Sequence, residues 1–365
     1  MAKTDPIAEL RRLGQSVWLD HLDRRMIRSG ELARFRDAEV SGVTANPTIF
    51  AKALESSDVY ADDVRARLDR GQDAESVLWE LLVEDVQAAA DIFRPVFDRE
   101  HGGDGFVSIE VSPEIASDTD RTIEAARDLA RRTARPNVMV KIPATPAGLP
   151  AIQAMIGEGV NINVTLIFAV ERYVKVVEAF FAGLEELQMK GGDLSRVHSV
   201  ASFFVSRVDT KIDEQLTQRG DVQALLGRAA IANSKLAYEM FTQLHSGHRW
   251  DRLRDAGASV QRCLWASTST KNPRYRDTMY VEELIGPATV NTMPPATFEA
   301  LRDHGKVALT LQQDVDGARR LLDQLAINGI DLAAITQELE DEGVESFARS
   351  YRDSIEQLAK VKTPR

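Results

Sequence analysis

The chain has 365 residues, 44% of them hydrophobic, with one cysteine and a formal charge of −11. That length and apolar content can bury one large α/β barrel or two ordinary domains, and the apolar runs are too short to span a membrane. The acidic balance lacks the basic footprint of a nucleic-acid binder and gives no global attraction for anionic substrates, so any phosphate must meet local cations.

Short strand-like runs recur between helical stretches. In the first, Ser16 to Asp20, the aspartate stands on the face opposite Leu19, and in the second, Gly42 to Asn46, the amide stands opposite Val43. A helical hairpin over about residues 48 to 98 is expected next, with Pro47 able to open it at the first helical position. Gly102-Gly103-Asp104-Gly105 precedes a strand instead of following one, which reads as a turn and not a dinucleotide loop.

The third run, Gly105 to Val111, splits into apolar Val107, Ile109 and Val111 on one face and Ser108 with Glu110 on the other. The fourth, Val138 to Pro143, reads as a fully buried parallel strand except that Lys141 interrupts it. A buried ammonium is costly, so such a lysine is either paired or partly neutral, and a neutral amine attacks carbonyls. The fifth run, Val160 to Ile167, puts Asn161, Asn163 and Thr165 on one face. Val197 to Phe203, Gln261 to Ser267 and Ala288 to Thr292 complete eight strand candidates.

The connections carry helical spacing, as in Val170, Tyr173, Val174, Val177, Phe181 and Leu184. Helices between buried strands imply right-handed βαβ units, and eight of them close into a (β/α)8 barrel of about 250 residues. The surplus goes to the inserted hairpin and to C-terminal helices from about Val315 to Lys360. The chain therefore reads as a single barrel domain, residues 1–365, with about 310–365 as a helical extension that, like the hairpin, could cover the barrel mouth.

Axial positions of a closed barrel are normally bulky and branched, so Asp, Glu, Lys, Asn, Thr and Ser at strand ends mark a polar mouth, where barrel active sites lie. Taken singly, these residues also have structural readings. A lysine near a strand end snorkels to solvent, Asp20 can cap the following helix, and Asn163 can bond Thr165 inside a filled barrel. Lys141, Glu110 and Asp20 on one axial face favour catalysis over those readings.

Other candidates resolve structurally. His245 and His248 lack further ligands at metal spacing. Cys263 reads as an inert core residue, and one cysteine excludes a disulfide framework. With Met1 to Pro6 lacking an apolar secretory core, the cytoplasm is the default setting. The acidic run Glu338 to Glu345 reads as a solvated helix face and its cap.

Gly42-Val43-Thr44-Ala45-Asn46-Pro47-Thr48-Ile49-Phe50, Val138 to Thr145, Ile162 to Phe168 and Ser202-Phe203-Phe204-Val205-Ser206-Arg207 together resemble the transaldolase family, in order, over residues 16 to about 304. The resemblance implies a cofactor-free, metal-free transfer of a dihydroxyacetone unit between sugar phosphates, in the non-oxidative pentose phosphate pathway. It assigns Lys141 as Schiff-base nucleophile, Asp20 as the acid–base group at the C4 hydroxyl, and Glu110 as an acid–base group working through water. It further implies Asn46 and Asn163 on substrate hydroxyls, Ser202 on the keto-end hydroxyl, Thr165 on the catalytic water and Arg207 on the phosphate.

The chain departs from the family pattern in two places. Strand six carries Phe203 and Ser206 in place of proline and glycine. After strand seven no arginine precedes Arg274, so Ser267 and Lys271 are expected to complete the phosphate site, keeping charge but losing a bidentate fork. The shorter fructose 6-phosphate aldolases of the same superfamily lack the strand-three glutamate, so Glu110 and the chain length count against a simple lyase. A non-catalytic barrel scaffold is the third reading.

Overall fold

A computed structural model describes residues 5–56, 58–220 and 223–361. The expected C-terminal extension is thus described as far as Val361, and residues 1–4 of the N-terminal segment lie outside the described residues. Eight strands close into one parallel barrel in sequence order: β1 (Gln15–Leu19), β2 (Gly42–Val43), β3 (Val107–Glu110), β4 (Val138–Pro143), β5 (Ile162–Ile167), β6 (Ser199–Phe204), β7 (Arg262–Ala266) and β8 (Thr289–Met293). β1 closes the ring by pairing with β8 from Gln15↔Thr289 to Leu19↔Met293. Surrounding helices complete the (β/α)8 architecture expected from the alternation of strand and helix.

The expected strands all exist, with shifted ends. β2 keeps only Gly42 and Val43, because Asn46 turns to accept a hydrogen bond from the Ile49 amide (2.9 Å) and starts the helix Pro47–Ser56. Asp20 lies one residue past β1, although its amide still donates to the Met293 carbonyl (2.8 Å). A register shift in β5 between Val164 and Ile167 leaves Leu166 at φ 58°, a left-handed conformation rare for a bulky residue. Leu166 there packs toward Gly343 of the C-terminal helix, where an added Cβ would lie 2.8 Å from its Cδ2.

The base of the barrel is closed around Asp104. Its carboxylate accepts from Trp18 Nε1 and Ser41 Oγ, each at 2.8 Å, and from Ser16 Oγ. Trp18 is fully buried, and its ring covers Gly42 so closely that a Cβ there would meet ring atoms at 2.7 Å. The glycine-rich segment before β3 is therefore a turn, as expected, and its one acidic residue ties that turn to side chains of β1 and of Ser41, just before β2.

Two expectations need correction. The insertion between β2 and β3 is more than a hairpin: it holds the helices Pro47–Ser56, Ala61–Leu68 and Ala74–Arg99 and a 3-10 turn at Asp58–Tyr60. The acidic run caps no helix, and it is a solvated face only in part, with Glu338, Asp341, Glu342 and Glu345 exposed and Glu340 buried. It lies inside the long C-terminal helix Leu332–Ala359, where buried Glu340 takes two hydrogen bonds from Arg172 (3.0 and 3.1 Å). Glu338 and Glu342, four residues apart on the same face, both pair with Lys211 (2.7 and 2.6 Å). The run thus docks the helix on the barrel, and its partners are more than a hundred residues away in sequence.

The insertion and the C-terminal helix share a small core of their own, built from Phe50, Tyr60, Leu78, Leu81, Tyr351 and Leu358. Trp79 Nε1 donates to the Tyr351 hydroxyl at 3.0 Å across that contact. Among the described residues no helix is long and apolar enough to cross a membrane.

Candidate active site

The register β3 to β4 sets Glu110 beside Lys141, and β4 to β5 sets Lys141 beside Asn163. Alternation then turns all three to the barrel interior. Lys141 Nζ lies 2.9 Å from Glu110 Oε2, with both side chains about 95% buried, and Nζ also donates to the Ala45 carbonyl at 3.3 Å. On the β1 side, Asp20 Oδ1 accepts from Thr44 Oγ1 at 2.8 Å, and Thr44 in turn shares a 2.8 Å contact with Thr292 Oγ1.

Burial pushes the carboxyls of Glu110 and Asp20 above their ordinary values, and the positive charge of Lys141 pulls each part of the way back. Each is thereby a stronger base than a surface carboxylate. The three groups combine a nucleophilic amine with two tuned acid–base groups, the set needed for imine chemistry.

A cavity of about 700 Å³ opens above them at the C-terminal ends of the strands. Asp20, Asn46, Lys141, Thr165, Ser202, Arg207, Ser267 and Lys271 all line it. Glu110 and Asn163 sit behind that wall. Asn163 is fully buried, donates from Nδ2 to Ser108 Oγ (3.0 Å) and accepts from Ser202 Oγ (2.7 Å), so it joins neither Thr165 nor the open cavity. Thr165 is also fully buried, and its hydroxyl has no hydrogen-bond partner among the described residues. Such a buried hydroxyl invites a water or substrate oxygen.

The side of the cavity where an anion is expected is built from β6, β7 and the helix Ser206–Arg219. Ser206 donates its amide to the Ser267 carbonyl (3.0 Å) and its hydroxyl meets the Ser267 hydroxyl at 2.9 Å, which holds Ser267 at φ 57°. Arg207 is the second residue of that helix, where the amide dipoles favour a negative charge. Lys271 is exposed on the rim and donates to Ser269 Oγ at 3.0 Å.

Several lining residues escape sequence reasoning. Thr44 shares the alternating face of Gly42 and Asn46, so parity within the motif could have found it. Lys52, Lys211, and Leu339, Glu342, Ser346 and Phe347 of the C-terminal helix also line the cavity, and no local motif marks them. His245 is packed among Phe181, Phe241 and Trp250 and bonds the Phe241 carbonyl (2.9 Å). Cys263 is fully buried beside Tyr173, and burial pushes its thiol up to about 12.

Comparison with known proteins agrees with this geometry. Residues 17–358 match the model of the family described as transaldolase/fructose-6-phosphate aldolase. The chain is 47% identical over 358 residues to a transaldolase of Thermobifida fusca, covering 97% of each chain. It is 48% identical over 363 residues to transaldolase 1 of Streptomyces avermitilis, covering 98% of this chain and 96% of the relative. It is 49% identical over 353 residues to a transaldolase of Acidothermus cellulolyticus, covering 96% and 95%. A lysine paired with a carboxylate at the mouth of a parallel barrel, and a match running over nearly the whole chain, lead to one conclusion: the chain belongs to the transaldolase/fructose-6-phosphate aldolase family.

Proposed function

We propose that this chain is a transaldolase, a transferase that moves a dihydroxyacetone unit from a ketose phosphate to an aldose phosphate through an imine on Lys141. Sedoheptulose 7-phosphate or fructose 6-phosphate would be the donor, and glyceraldehyde 3-phosphate or erythrose 4-phosphate the acceptor. The observation that carries the reading is the buried Lys141–Glu110 pair, 2.9 Å apart, whose lysine lines the same cavity as Asp20.

The amine attacks the C2 carbonyl, and the carbinolamine loses water with Glu110 moving protons through a water held near Thr165. The protonated imine is an electron sink. Asp20 takes the proton of the C4 hydroxyl, the C3–C4 bond breaks toward the imine, and the aldose leaves while an enamine stays on Lys141. Addition of the acceptor aldehyde at C3 returns that proton from Asp20, and hydrolysis frees the new ketose. Asn46 keeps its Nδ2 for a substrate hydroxyl while Oδ1 caps its helix. Asn163 has one amide hydrogen left beyond Ser108, and Ser202 can accept at its oxygen. Arg207, Ser267 and Lys271 would meet the phosphate. A cytoplasmic setting fits a single, buried, unpaired cysteine.

Borohydride reduction with fructose 6-phosphate should fix the three-carbon unit on the peptide containing Lys141, and Lys141→Ala should abolish the adduct. Ketose turnover should also require an aldose acceptor. Rapid dihydroxyacetone release with no acceptor present would reassign the protein as a lyase.

A further inference from the structure

The cations of the active-site cavity are not equivalent. Lys211 is held by Glu338 and Glu342 at 2.7 and 2.6 Å, and Lys271 leans on Ser269 at the exposed rim. Arg207 alone combines depth with the absence of any hydrogen bond or ion pair among the described residues. Its guanidinium instead lies 5.0 Å from the ring centroid of Phe204, at the end of β6, and 6.0 Å from that of Phe347. Phe347 belongs to the C-terminal helix and is 2% exposed.

A guanidinium held by aromatic rings and by no hydrogen bond keeps its N–H fork free for an anion, and the rings displace water beside it. The same desolvation disfavours its charge, and an incoming anion would relieve that cost. The helix that carries Phe347 also carries the two glutamates that neutralise Lys211. It therefore leaves Arg207 as the deep cation open to an anion and supplies one of the two rings that hold it.

We propose that Phe347 is a positioning residue for Arg207, so that the C-terminal helix sets how strongly the enzyme favours phosphorylated over unphosphorylated sugars. The proposal rests on the reading above that Arg207 receives the substrate phosphate. Phe347 acts on the anion only through Arg207. Its loss lets the fork swing away from the phosphate position without disturbing Lys141, Glu110 or Asp20.

The test uses the full chain with unphosphorylated glyceraldehyde as acceptor, so that the donor carries the only phosphate. Phe347→Leu should raise KM for fructose 6-phosphate about tenfold, the scale of a desolvated cation–π contact. It should lower kcat no more than about threefold and leave kcat/KM for unphosphorylated fructose within about twofold. Phe347→Tyr, which keeps the ring, should restore KM. Arg207→Gln should raise KM for fructose 6-phosphate at least as much, and adding Phe347→Leu to it should change nothing further. An equal loss with both donors, or a further rise on the Arg207→Gln background, would overturn the proposal by making Phe347 merely structural. So would an unchanged KM in Phe347→Leu while Arg207→Gln raises it. If Arg207→Gln itself leaves that KM unchanged, the phosphate role of Arg207 is wrong and the proposal falls with it.

Discussion

Replacing Lys141 by Met keeps a side chain of similar length and removes its charge, leaving Glu110 buried without the cation that now sits 2.9 Å away. The Glu110 carboxyl already lies above its ordinary 4.5, because burial disfavours the anion more than Lys141 favours it. Without the ammonium, burial and the charge of Asp20 act in one direction, and the carboxyl takes its proton at higher pH still. An acid raised in the folded state destabilises the fold progressively as pH climbs from its unfolded to its folded value, and by a constant amount above that. At about 1.4 kcal/mol per unit, protonating a group of ordinary value 4.5 costs about 3.4 kcal/mol at pH 7 and about 0.7 kcal/mol at pH 5. Those are ceilings, since removing a buried ammonium also removes its own desolvation cost. Lys141→Met should therefore fall behind the wild type by up to about 2.7 kcal/mol more at pH 7 than at pH 5. Asp20, which Lys141 also helps to ionise, adds in the same direction. Urea unfolding across pH 5 to 8 measures the gap, and Lys141→Met combined with Glu110→Gln should lose most of its pH dependence. A gap that stays flat over that range, or that the double variant leaves intact, would refute the buried pair as its source.

Asp20→Asn keeps the contact with Thr44 but cannot take the C4 hydroxyl proton, so kcat should fall by about 10²–10⁴ while borohydride still traps a ketose on Lys141, now uncleaved; loss of the adduct would move Asp20 to imine formation. Gly42→Ala drives a methyl to 2.7 Å from the Trp18 ring, and a cost of about 1–3 kcal/mol should appear as a lower urea midpoint with unchanged slope. An unchanged midpoint would mean that the base of the barrel yields freely. His198 and His245 are each pushed down to about 4 by burial, from 6.5. A base lowered in the folded state leaves stability whole above pH 6.5 and drains it as pH falls toward 4, by about 1.4 kcal/mol per pH unit for each histidine. His198→Phe, beside the Phe106 ring, should reduce the steepness of the acid limb by about one proton, and an unchanged slope would show that the imidazole titrates freely.

The barrel was legible because its signal is local. Each strand announces itself by a short apolar run, and the period of two sorted Glu110, Lys141 and Asn163 onto one face before any strand was paired. The pairing of β3 with β4 then makes neighbours of Glu110 and Lys141 without further information. Distance from the cavity was less legible, since parity gives the face of a strand and not the depth along it. Asn163 and Thr165 share a face, yet the first bonds Ser108 and Ser202 behind the wall and the second lines the cavity with an unpartnered hydroxyl. Leu166, turned by the register shift, breaks the alternation altogether.

The acidic run was legible only in part, for a different reason. Composition reports five acidic residues among the eight from Glu338 to Glu345, and says nothing about which distant cations they meet. Buried Glu340 is compensated by Arg172, which faces it, and Glu338 and Glu342 both reach Lys211. These pairs fix the rotation of the C-terminal helix about its axis, and that rotation turns Ser346 and Phe347 toward the cavity. The same helix covers the inserted segment through Tyr351 and Leu358, and Thr48 meets Ser350 at 2.9 Å on that side. The two stretches that a minimal barrel does not require are therefore each other's packing partners, and together they wall one side of the active-site cavity. The lysine chemistry is written in the strands, where a motif can reveal it. What surrounds Arg207 is partly written in the tail, in contacts between residues more than a hundred positions apart.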